Sequence, residues 1–157
     1  MREDLPGTVR GAVALTWALV AAMGVTALLT VLLKEDVIRA WAGGSETARV
    51  LVEQGGVEAL EGATVAVPAF VPVAIVSFVM ILLLAWVLTA LLVGQGAGGA
   101  RIGLTGLALL AVVMTVFGLR YDQPPLFTVM TVVVLGLEVA LLTLLWHPRT
   151  TGFVRGE

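Results

Sequence analysis

Pro124-Pro-Leu-Phe-Thr-Val-Met-Thr-Val-Val-Val-Leu-Gly-Leu-Glu-Val-Ala-Leu-Leu-Thr-Leu-Leu-Trp-His-Pro148 is the stretch that decides the fold class of this chain. Between its proline boundaries run about 22 apolar or small residues, the helical length that crosses a bilayer core of about 30 Å. Close to the middle stands a carboxylate, Glu138. No other Asp, Glu, Lys, Arg or His falls well inside a hydrophobic run of this sequence. An ionisable side chain at that depth is costly, and it marks a candidate site by default.

Upstream, the turn Arg120-Tyr-Asp-Gln-Pro-Pro separates this run from a shorter one, Ile102–Leu119, with Arg101 as its headgroup-level anchor. Arg120 and Asp122 are expected to face each other there. The connection before it, Gln95-Gly-Ala-Gly-Gly-Ala, is long enough only for a tight turn, which makes the flanking runs neighbours in a helical hairpin. The run Val67–Val93 comes next. Pro68 suits a first helical turn, where its missing N–H is harmless, and Pro72 either marks the helix start or kinks that turn.

Lys34 to Thr64 is the one substantial polar segment, with Lys34, Arg39 and Arg49 against Glu35, Asp36, Glu46, Glu53, Glu58 and Glu61. Ser45 is placed to cap a short helix over 46–54, its hydroxyl accepting from a free first-turn N–H. Gly55-Gly56 ends that helix, and Val57 to Leu60 adds a further turn. The first hydrophobic run is Gly11–Leu33. It is too long for a signal-peptide core of about 7–15 residues, so it reads as a retained span. Its small residues Ala14, Ala18, Ala22, Thr26 and Thr30 recur every fourth position and are expected to pack closely against the other helices, with dimerisation through this stripe as the alternative. The tail after Pro148 is short and expected to be mobile.

These runs predict an all-α integral membrane protein: an antiparallel bundle of four transmembrane helices near 11–33, 67–94, 102–119 and 125–146. It forms a single domain over 1–157, with a polar extracytoplasmic loop at 34–66. Composition agrees. The chain is 59% hydrophobic and 13% charged, with mean hydropathy +1.06, against about 25% charged residues in a soluble domain. Absence of cysteine excludes disulfides and thiolate metal sites, and a single histidine excludes a multi-histidine metal site within one chain. No basic cluster suggests nucleic acid, and no nucleotide loop follows the glycines. Neither a cofactor nor a metal is expected. One lysine, no asparagine and abundant Ala, Gly, Val, Leu and Arg follow GC-rich codons and point to a high-GC bacterium.

Orientation rests on the basic residues. Arg2, Arg10, Arg101, Arg149 and Arg155 share the side of the termini; Lys34, Arg39, Arg49 and Arg120 lie opposite, outnumbered there by acids. Cytoplasmic termini in a bacterial plasma membrane follow as the expectation.

Gly96-Ala-Gly-Gly-Ala-Arg-Ile-Gly-Leu-Thr105, with the span before it, resembles a family of small uncharacterised four-helix membrane proteins of actinobacteria. In those, a glycine-rich hairpin leads into Ala-Arg-Ile-x-Leu-Thr; Ala100, Arg101, Ile102, Leu104 and Thr105 match, while Gly99 stands where an aromatic is usual. The Pro6-Gly-Thr-Val entrance to the first helix is also similar. The resemblance implies architecture and no activity.

Matching depth along the helices brings Trp17, Thr16, Trp86, Thr89 and Thr105 to the level of Glu138 as candidate hydrogen-bond partners. With no cation among them, the acid is expected to be neutral. Arg101 and Trp146 are expected as interface anchors, and His147 as an interfacial residue rather than a ligand. On the fourth helix Phe127, Thr131, Val134, Leu141, Leu142 and Leu145 share the Glu138 side, while Gly136, Ala140 and Thr143 form a small face opposite. The expected partners are therefore membrane lipids, with a homo-oligomer or a membrane partner protein against the small face. Two functions fit. One is a structural, scaffold or accessory membrane protein with no catalytic site. The other is an oligomeric proton- or cation-coupled transporter or channel using Glu138.

Overall fold

The computed structural model describes residues 5–60, 63, 66–95, 98–119 and 123–155. Every regular element among them is helical: α1 Gly7–Leu32, α2 Lys34–Gly43, α3 Glu46–Gly55, a 3-10 turn Val57–Leu60, α4 Phe70–Gln95, α5 Gly98–Gly118, α6 Pro125–Leu145 and α7 Pro148–Arg155. Helices α1, α4, α5 and α6 are long and apolar enough to cross a membrane. The Arg120–Asp122 pair expected from sequence lies outside the described residues.

The helix bounds shift from the sequence expectation for local reasons. Helix α1 starts at Gly7, a turn early, because Val9 and Ala12 are fully buried and Arg10 Nε folds back to donate to the Leu5 carbonyl at 3.1 Å. Helix α4 starts at Phe70, so Pro68 precedes it and Pro72 takes a first-turn position whose N–H has no intrahelical acceptor. Helix α5 gains a turn at its start, where Ala100 joins the buried stripe Leu104 and Ala108.

Helices α2, α3 and the 3-10 turn form a small cap around Ile38, Ala42, Ala48 and Leu60, with Trp41 edge-on to Phe70 at 6.4 Å. Ser45 caps α3, accepting from the Ala48 N–H at 3.5 Å. Gly56, at φ 71°, ends it in the left-handed region that glycine tolerates best. Helix α2 has no counterpart in the sequence reading. Its two buried positions, Ile38 and Ala42, fall one turn apart and find cover only in the folded cap.

The tail is a further correction. Instead of a mobile end it forms α7, since Phe153 and Val154 pack onto the main core and Thr150 is fully buried. Thr150 Oγ1 donates to the Leu144 carbonyl at 2.8 Å and lies 2.9 Å from Thr8 Oγ1, tying α7 to the start of α1.

Helix α1 packs on α4 and α6, and α5 packs on the same two. The main core joins Val9, Ala12 and Leu19 of α1, Leu92 of α4, Ala100, Leu104 and Ala108 of α5, and Val134, Leu141 and Leu145 of α6. Two glycines allow close approach: a Cβ on Gly11 would meet Leu144 Cδ1 at 2.9 Å, and one on Gly103 would meet Leu88 Cδ2 at 2.8 Å. This end of the bundle, next to α7, is tightly packed. Towards the cap the helices separate around a cleft of about 290 Å³ lined by Thr26, Ser77, Thr115 and Thr131, one hydroxyl from each long helix. It shares Thr26 and Ala74 with a space of about 640 Å³ beneath α2. The fourfold small-residue spacing on α1 is only partly used inside: Thr30 is buried, whereas Ala14 and Ala18 face outward and Ala12 and Thr16 take the core positions.

Candidate functional site: a buried carboxyl and an arginine platform

Glu138 sits on the buried side of α6 with Phe127, Val134, Leu141 and Leu145, and is 1% exposed. Gly136, Ala140 and Thr143 on the other side are exposed. The carboxyl closes on α5: Thr115 Oγ1 donates to Glu138 Oε1 at 3.3 Å. Oε2 is buried and has no hydrogen-bond partner. Beside it lies a cavity of about 40 Å³ walled by Thr16, Met23, Ala85, Leu104, Ala108 and Leu141 among others, with no other ionisable side chain in the lining.

The partners named by depth are placed differently. Trp17 and Trp86 are 39% and 60% exposed and line a separate outer groove with Thr89 and Arg10. Each indole follows a residue of the Glu138 cavity, Thr16 or Ala85, and one helical step of about 100° carries it to another face. Thr16 borders the cavity, but its hydroxyl donates to the Ala12 carbonyl at 2.9 Å. Thr89 likewise donates to the Ala85 carbonyl at 2.6 Å. Level alone therefore selects the right height and the wrong side.

Thr115 was not among the candidates. Helical side chains slant toward the N-terminus of their own helix, so the long Glu138 chain carries its carboxyl back along α6, away from Trp146. The matching hydroxyl on α5 is then deeper than Thr105. In the sequence, Thr115 follows the small residues Ala108 and Ala111 at helical spacings of seven and four, which puts its hydroxyl on one small side of that run.

Thr105 serves a second constellation, at the packed end. Its Oγ1 donates to the Arg101 carbonyl at 2.8 Å and accepts from Trp146 Nε1 at 3.1 Å. The Arg101 guanidinium lies over the Trp146 ring, 4.4 Å from its centroid, a cation–π contact favoured by the ring quadrupole. Arg101 Nη1 also donates to Thr151 Oγ1 of α7 at 3.0 Å, and Nε is buried without a hydrogen-bond partner. The two expected interface anchors are thus one assembly. His147 Nδ1 accepts from the Arg149 N–H at 3.3 Å, which uses the ring in the α6–α7 corner. Among the described residues no three His, Asp or Glu side chains gather in a way that would hold a metal ion.

No protein family, curated protein or solved structure matches this chain.

Proposed function

We propose that the chain is an antiparallel four-span bundle of a bacterial plasma membrane, with both termini cytoplasmic and residues 34–66 outside, and that it acts as a structural, scaffold or accessory membrane protein rather than an enzyme. The actinobacterial four-helix family is its proposed kinship. The observation that supports this function is the enclosure of Glu138. A side chain 1% exposed, joined to Thr115 of the adjacent helix, fixes how α5 and α6 meet. Buried polar groups of this kind can specify register at a cost in stability. Exposed Gly136, Ala140 and Thr143 offer a small face to a second copy or another membrane protein.

The transport reading draws on one feature: Thr115, which holds the carboxyl, also lines the cleft that leads toward the cap. Liposome flux separates the two. Purified protein in sealed vesicles is expected to pass neither protons nor monovalent cations, and Glu138→Gln to behave like wild type. A flux abolished by Glu138→Gln would overturn the structural reading in favour of transport.

A further inference from the structure

Among the described residues, the packed end of the bundle carries charge of one sign. Its described charged residues are Arg10, Arg101, Arg149 and Arg155, with no carboxylate among them; the described acids other than Glu138 all lie in the cap segment 34–60. The two cap ion pairs, Arg39–Glu35 and Arg49–Glu53, use arginines of that segment alone. Arg101 therefore has no anionic partner among the described residues. It is nevertheless held in place, by the Trp146 face on one side and by Thr151 Oγ1 at 3.0 Å. Its buried, unpartnered Nε adds an unsatisfied donor on a cation, an arrangement that a nearby negative charge offsets.

Helix α7 carries a second arginine. Arg155 is four residues after Thr151 in α7, so the two side chains share a helix face. Thr151 is the residue that Arg101 grips, and Arg155 is exposed. Val154 stands against Gly98, where an added Cβ would meet it at 3.3 Å, so α7 runs beside the start of α5. Gly99 has open space where its Cβ would be and is exposed, so no side chain covers that position of the first turn. Two arginines and the first turn of α5 are thus placed at the same end of the bundle. Arginine forks match phosphate oxygens, and helix N-termini favour anions.

We propose that Arg101, Arg155 and the first turn of α5 bind the phosphate of an anionic phospholipid headgroup. The depth favours a lipid over a soluble phosphate. Trp146, 54% exposed, pins Arg101 at the end of α6, where an indole sits at headgroup level. The proposal rests on the membrane reading above and adds a lipid preference to it; stable reconstitution into neutral-lipid nanodiscs checks that reading separately.

The test is native mass spectrometry of purified protein, counting retained phosphatidylglycerol against phosphatidylcholine from equimolar mixtures. Wild type is expected to retain phosphatidylglycerol preferentially. Arg101→Gln and Arg155→Gln are each expected to lower that preference about fivefold, the effect of one basic residue near an anionic surface. Arg39→Gln, in the cap, leaves it unchanged. Should Arg101→Gln fold poorly, Arg155→Gln and Arg101→Lys carry the test; the lysine keeps the charge but loses the planar fork and its stacking. Equal retention of the two lipids overturns the proposal, and so does a loss in Arg39→Gln as large as in Arg101→Gln. Stabilisation by millimolar inorganic phosphate in neutral nanodiscs, without any lipid preference, overturns the lipid as ligand.

Discussion

Replacing Glu138 by leucine is expected to stabilise the protein, and the sign follows from the two carboxyl oxygens. Oε1 accepts one interhelical hydrogen bond, from Thr115 at 3.3 Å. Such bonds average about 0.6 kcal/mol in membranes, with a maximum near about 1.7. Oε2 is buried without a partner, a deficit of about 1–3 kcal/mol. Leucine loses the first and relieves the second at similar volume, against a wall of Leu104, Ala108 and Leu141. Thr115 is not stranded by the change. Thr16, Thr26, Thr89, Thr105, Thr131 and Thr143 all donate to the carbonyl four residues back, and Thr115 has the same option toward Ala111. The net is about 1 kcal/mol in favour of Glu138→Leu. Glu138→Gln keeps the acceptor for Thr115 but brings an NH2 group where no acceptor waits, and is expected to fall below wild type by about 1 kcal/mol. Thermal unfolding in detergent should rank Leu above wild type above Gln, with steps of about 2–4 °C for a chain of this size. Thr115→Val should destabilise wild type yet be nearly silent in the Glu138→Leu background. A Glu138→Leu protein melting below Glu138→Gln would refute the reasoning, because the Thr115 bond would then outweigh the unpartnered oxygen.

Other outcomes are expected elsewhere. Gly103→Leu should destabilise the α4–α5 contact by about 1–3 kcal/mol through overpacking, since even a Cβ there would lie 2.8 Å from Leu88 Cδ2; Gly103→Ala, which only moves the tip of Leu88, should cost less, and melting curves of the pair give the ranking. Thr150→Val removes a fully buried hydroxyl that bonds the Leu144 carbonyl and contacts Thr8; a loss of about 1–2 kcal/mol and faster amide exchange throughout α7 should accompany it. Protease added to intact cells should cut within residues 34–64, and cutting only after lysis would reverse the proposed orientation.

The sequence determined a good deal by itself. Length and apolarity mark α1, α4, α5 and α6, since a run of about 20 largely apolar residues with at most one ionisable side chain has few alternatives to a spanning helix. Ser45 and Gly55-Gly56 announced the limits of α3, because capping is local chemistry within a few residues. Glu138 stood out because ionisable groups are so rare in such runs. The tertiary structure decided the rest. Whether Trp17 or Thr16 meets the carboxyl depends on rotation about the α1 axis, which a uniformly apolar helix hardly encodes: when every side is hydrophobic, no polar face announces which side turns inward. Thr115 became the partner through the slant of a long side chain across an interhelical gap. Helices α2 and α7 formed because Ile38 and Ala42, and Phe153 and Val154, found cover contributed by distant segments. Arg101 and Trp146 were each legible as anchors, but their stacking required the start of α5 and the end of α6 to meet, a contact between residues far apart in the chain.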